Sequence, residues 1–163
     1  MAAAPISLEL KEFLESGISL LVGSRDARLQ PEVVRALGAR IEDGGREVTA
    51  FVPVATSART LANARENGRL AVCFTSIDHR SYQLKGSLTE ARAADEEDRR
   101  LIERYRAALA QHFGLVGLPP RLTLRVAHWP AHALRVAIED VFIQTPGPGA
   151  GVALGVPRRG ARR

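Results

Sequence analysis

The sequence predicts a mainly β protein with flanking α-helices, six to seven antiparallel strands in a small closed or split β-barrel with helices packed outside. Three observations carry that expectation. Short apolar or alternating runs recur along the chain, divided by Gly-, Asp- and Pro-containing turn signals. The connections between the first runs are too short for the crossovers that a parallel sheet requires. The helical patterns are few and fall between strands, so they cover a sheet and do not form a bundle.

Residues 7–16, SLELKEFLES, space Leu8, Leu10, Phe13 and Leu14 at helical intervals, with Ser7 as the opening cap and Gly17 as the exit. Three β-rich runs follow, 18–25, 31–42 and 47–54, and they read as an antiparallel meander. In the third, Val48, Ala50, Val52 and Val54 alternate with Glu47, Thr49, Phe51 and Pro53, which predicts one apolar face. A short helix over 58–66 stops at Asn67-Gly68, and RLAVCF returns as a strand in which Cys73 reads as a small buried hydrophobe. Over 81–92, Tyr82, Leu84 and Leu88 face one way and Gln83, Lys85, Ser87 and Thr89 the other; Gly86 in mid-strand marks a bulge or a close approach. Residues 95–113 give the clearest helix, acidic in its first turn, with Leu101, Ile102, Tyr105, Ala108, Leu109 and Phe113 on one stripe. One or two further strands lie in 122–146. The expected division is a single domain over 1–146 and a Gly/Pro- and Arg-rich tail over 147–163.

Composition narrows the function classes. Hydrophobic residues make up 45% and charged residues 25%, the balance of a globular chain, and no run of about 18 apolar residues is present to cross a membrane. The first residues, MAAAPISLELKEFLESG, lack the basic segment and greasy centre of an export signal, so the expected location is the cytoplasm. A single cysteine excludes an internal disulfide framework and any multi-cysteine metal site. The net charge of +5 is concentrated in RRGARR at the end, which reads as a solvated terminus. Nucleic-acid binding is not expected, because an aromatic content of 5% offers few stacking platforms. His128 and His132 lie four apart, but Pro130 between them breaks a shared helical face, and no metal site is expected there.

The stretch ATSARTLANARENGRLAVCF, 55–74, carries the chemistry. A helix start has unpaired N–H groups and a partial positive charge; hydroxyls and a guanidinium beside it make a better anion site. Thr56, Ser57, Arg59 and Thr60 are therefore candidate phosphate ligands.

The order of a strand, a hydroxyl- and base-rich helix start, a direct return through TLANARENGRLAVCF and then YQLKG resembles the pyridoxamine 5'-phosphate oxidase-like family, the FMN-binding split barrels. Aligned on Asn67-Gly68-Arg69, the resemblance implies that Ser57, Arg59 and Thr60 hold the FMN phosphate. It places Arg35 and Leu37 on the strand bordering the isoalloxazine ring, and Gln83 and Lys85 within reach of ring or phosphate. Trp129 is a candidate cover for the ring across a subunit interface, since the family implies a homodimer with the flavin between subunits. Three departures are visible: Thr60 stands where the family often has lysine, Asn67-Gly68 replaces its Asn-Pro, and the closely spaced Trp, Arg, Leu, His and Arg of the true oxidase are missing from HWPAHALRVAIEDVFIQTP. The implied function is thus an FMN-dependent oxidoreductase acting on a small organic substrate or reduced nicotinamide, other than pyridoxamine phosphate oxidation. The alternative is a non-catalytic split-barrel binding or stress-response protein holding haem, a deazaflavin or no cofactor.

Overall fold

Residues 31–42, expected as one strand, break into two in the computed structural model, which describes residues 5–154. The first half, β2 (Pro31–Ala36), forms a hairpin with β1 (Ser19–Arg25), and the second, β3 (Ala39–Glu42), forms one with β4 (Glu47–Pro53). Between them, the Leu37 N–H donates to the Phe51 carbonyl at 3.0 Å and the Phe51 N–H donates to the Gly38 carbonyl at 2.9 Å. A Cβ on Gly38 would lie 3.2 Å from the Phe51 ring, so the close approach favours glycine.

The remaining strands are β5 (Arg69–Thr75), β6 (Ser81–Ala93), β7 (Ala131–Ile143) and the two-residue β8 (Ala153–Leu154). All pairings are antiparallel, in the order β2-β1-β5-β6-β7-β4-β3, with β8 added beside β7. The two ends of this order are the two halves of one bent segment. The sheet therefore curls into the expected split barrel, with β2 and β3 at its seam. The first residues of the Gly/Pro-rich tail join it, since Gly151 N–H donates to the Ile143 carbonyl and β8 extends the sheet. The terminal arginines lie outside the described residues.

Among the described residues, four α-helices decorate the barrel: α1 (Leu8–Leu14), α2 (Ala58–Asn67), α3 (Glu96–Leu115) and α4 (Pro120–Leu124). Ser7 caps α1 by accepting from the Leu10 N–H, and Leu10 and Leu14 enter the barrel core. Leu61 and Ala64 of α2 join the same core beside Leu20, Val72 and Leu84. A second cluster lies outside the barrel wall, where Ile102 and Leu109 of α3 cover Leu37, Phe51, Ala131 and Ala133. This second cluster corrects the reading of β4: Val48, Ala50 and Val52 do point inward, but Thr49 and Phe51 on the other face are also buried, and Val54 falls in a helical turn, 39% exposed. Both faces of β4 are covered, as happens when a barrel strand also carries a helix.

Two further sequence expectations shift and a third holds. The stretch 122–130 is not strand: Pro120 opens α4, and an extended loop leads to β7. Cys73 is half-buried on the outer face, between the inward Val72 and Phe74. Gly86 does mark a register shift, and a Cβ there would sit 1.9 Å from the Ala137 carbonyl oxygen. Among the described residues, no helix is long and apolar enough to cross a membrane.

Candidate functional site

The start of α2 is built differently from an ordinary helix start. Ser57 occupies the N-cap position yet makes no capping hydrogen bond with its side chain. Ser57 and Thr60 are both 0% exposed, and neither the Ser57 Oγ nor the Thr60 Oγ1 has a hydrogen-bond partner among the described residues. Leaving a buried hydroxyl unpaired costs about 1–3 kcal/mol, so two in one turn stand out. The helix is nonetheless firmly seated. Asn63 donates from Nδ2 to the Ser24 Oγ at 3.1 Å, and Asn67 Nδ2 donates to the Arg25 carbonyl at 2.7 Å. Gly68 closes it in the left-handed region at φ 70°.

Just before this turn, Thr56 is exposed and borders a cavity of 310 Å³ together with Arg35, Leu37, Pro53, Val33 and Val126. Arg35 is the sole charged residue on that lining, and it has no ion-pair or hydrogen-bond partner among the described residues. Arg59, in the first turn of α2, is 73% exposed, with its Nη1 3.4 Å from the Glu32 Oε2. That distance and exposure make a weak tether, one that a stronger anion could replace.

The other candidates sit elsewhere on the same outer face. Register runs from Arg35 to Leu21, Cys73, Gln83 and Phe142 across five adjacent strands. Gln83 is therefore three strand spacings from Arg35, roughly 14 Å. Its Nε2 rests 3.4 Å from the Cys73 Sγ. Lys85 belongs to the neighbouring row and borders another depression of 420 Å³, lined by Gly23, Ala71 and Gly86 and sharing Val33 with the first. Its Nζ stands 4.9 Å over the Phe142 ring. At the rim of that depression, Arg69 Nη1 donates to Glu139 at 2.8 Å. The Glu139 carboxyl is held below the ordinary glutamate range by a hydrogen bond from Ser87 and then by Arg69. Trp129 is half-buried against the cluster under α3, with the Arg99 guanidinium 5.2 Å from its ring, and it borders none of these cavities.

The structure thus brings Arg35, Leu37 and Thr56 together and sets Ser57, Arg59 and Thr60 beside them. Gln83, Lys85 and Trp129 stand apart within one chain. Sequence reasoning missed Val126 and Ala127, which close the cavity from the loop after α4. The available signal was Pro119-Pro120, where proline at the first helical position announces an extra helix. Among the described residues, no cluster of three or more His, Cys, Asp or Glu side chains is placed to hold a metal ion.

No family model matches the sequence, and no curated protein matches it. Solved structures do. HupZ from Group A Streptococcus is 20% identical with a TM-score of 0.54, over 90% of this chain and 98% of that one. A structure described as an F420 reductase is 14% identical with a TM-score of 0.56, over 85% and 98%. An FMN-binding protein from Syntrophomonas wolfei subsp. wolfei is 14% identical with a TM-score of 0.52, over 92% and 89%. At such identities the likeness establishes the fold, which is the split barrel of the pyridoxamine 5'-phosphate oxidase-like proteins.

Proposed function

We propose that the protein is an FMN-binding homodimer, an oxidoreductase of the cytoplasm that exchanges electrons between flavin and a small organic substrate or reduced nicotinamide. The observation that carries this reading is the pair of buried, unpartnered hydroxyls of Ser57 and Thr60 at the start of α2, beside a cavity whose one charge is Arg35. A phosphate monoester fits that donor set. It accepts from hydroxyls and helix N–H groups and draws the Arg59 guanidinium from its weak tie to Glu32. Leu37, Val33 and Thr56 offer the flat, mostly apolar wall that a ring system needs. Bound flavin would supply the hydride chemistry, and the chain's residues would orient it and exclude water.

The cavity in one chain is too open to enclose a tricyclic ring. A second copy is the natural cover: Leu21, Val33, Leu122, Leu124 and Val126 are exposed on this side, with Val33 at 60%. The pairing also gives Gln83, Lys85 and Trp129 a route to the ligand across the interface. A specific observation favours a second reading, a deazaflavin in place of FMN: the fold is shared with an F420 reductase, and Thr60 leaves the phosphate site with one guanidinium.

Titration of the purified full chain with FMN, followed by flavin fluorescence quenching and sedimentation, tests the proposal. Saturable quenching at one FMN per chain in a dimer supports it. Quenching of F420 fluorescence alone favours the deazaflavin reading, and no response to either ligand removes both.

A further inference from the structure

A second recess opens behind the first. Leu109 and Phe113 of α3, Leu122 of α4, Val126 and Leu37 line a space of 210 Å³, which adjoins the α2-side cavity through the residues they share, Arg35, Leu37 and Val126. Polar anchors beyond its lining tie together the elements that form it. The buried Arg106 guanidinium donates from Nη2 to the Leu124 carbonyl at 2.6 Å and from Nη1 to Glu103 at 2.8 Å, while Glu103 also meets His128 Nε2 at 2.7 Å. Together these contacts tie α4 and the following loop to α3. One polar side chain on the lining is unsatisfied: Thr123 is buried, and its Oγ1 has no hydrogen-bond partner among the described residues. The exposed Arg35 is shared by both linings and, among the described residues, carries the one charge on them, with no carboxylate beside it there.

We propose that this recess binds a small hydrophobic carboxylate, its fused-ring or branched apolar body between α3 and α4, its carboxylate on the Arg35 guanidinium and a polar atom within reach of the Thr123 hydroxyl. A neutral apolar molecule would leave Arg35 unanswered, and a polyanion would find one cation in an otherwise greasy space. That the ligand is the substrate of a neighbouring flavin rests on the function proposed above; that it binds does not.

The test is calorimetric titration of 2-naphthoate into the full chain, both free of FMN and with FMN added. One site per chain is expected in both states, with 2-naphthalenemethanol about tenfold weaker because it lacks the charge. Arg35→Met is expected to weaken naphthoate about tenfold and erase its advantage over the alcohol. Leu122→Trp, at a position 43% exposed, fills the recess and is expected to abolish binding while far-UV circular dichroism shows the chain still folded. Equal affinity for acid and alcohol in the wild type, or binding that survives Leu122→Trp, overturns the proposal. So does an absence of binding in a chain that Leu122→Trp converts from dimer to monomer, because the recess then belongs to a second copy. Failure of FMN to bind while naphthoate does removes the flavin reading alone, and the reverse result removes this one alone.

Discussion

The starts of α3 and α2 solve the same problem in opposite ways. At α3, Asp95 accepts from the N–H groups of Glu97 and Asp98, and Asp98 accepts from the Asp95 N–H, so the turn is closed by its own residues. Asp98 is further gripped by Arg92 Nη1 at 2.5 Å and approached by Arg40 at 3.8 Å. At α2, the capping residue makes no side-chain bond, and two buried hydroxyls have no partner among the described residues. One helix start is finished internally and serves stability. The other is left incomplete, at a cost in stability, beside a cavity whose one arginine has no partner among the described residues.

The contrast predicts effects of different size and sign. The largest belongs to α3: Asp98→Ala removes the capping box and strands Arg92, and the chain is expected to lose about 3 kcal/mol in urea unfolding. The pH dependence follows from the same group. Burial opposes the Asp98 carboxylate, but the hydrogen bond from Arg92, the Asp95 N–H and the Arg40 charge outweigh it and hold the group below the ordinary aspartate range. A carboxyl depressed on folding stabilises the chain fully above its unfolded value, about 4, and that contribution drains away as pH falls through the lower folded value. Stability is thus expected to decline below about pH 5, and Asp98→Asn to flatten that acid limb in melts taken from pH 7 to 3.

At α2 the expected sign reverses. Ser57→Ala with Thr60→Val is expected to leave the melting temperature unchanged or raised, where an ordinary cap loss costs about 1 kcal/mol. The same pair is expected to weaken FMN about tenfold by fluorescence titration. A large loss of stability in this variant would show that both hydroxyls are satisfied at home and would erase the contrast. The smallest effect belongs to Arg59→Gln. Its pair with Glu32 is open to solvent, so stability should change by less than about 0.5 kcal/mol, with FMN weakened a few-fold.

Periodicity made the barrel legible because each strand that lines it has an inward face of its own: Leu20 and Val22, Val48 and Val52, Val72 and Phe74 are all buried. It failed where burial has two sides. Phe51 looks like the outward partner of Val52 until α3 is placed over it, and Leu37 and Gly38 look like the middle of a strand until Phe51 bonds to both. For the candidate site, the hydroxyls and arginine before TLANAR were readable as an anion turn. That Ser57 and Thr60 would be buried and unpartnered was not, since it depends on how β1 and β2 pack against α2. Cys73 misled because LAVCF is apolar throughout, while its outward positions face a surface left open in a single chain.

The bend at Leu37–Gly38 gives one piece of backbone two duties. It is the seam where the curled sheet meets itself, and its first residue is also a wall shared by both cavities. A molecule lodged against Leu37 therefore leans on the clasp of the barrel. The amide protons of Leu37 and Phe51 then act as a strain gauge, trading with solvent more slowly whenever something occupies the space beside them.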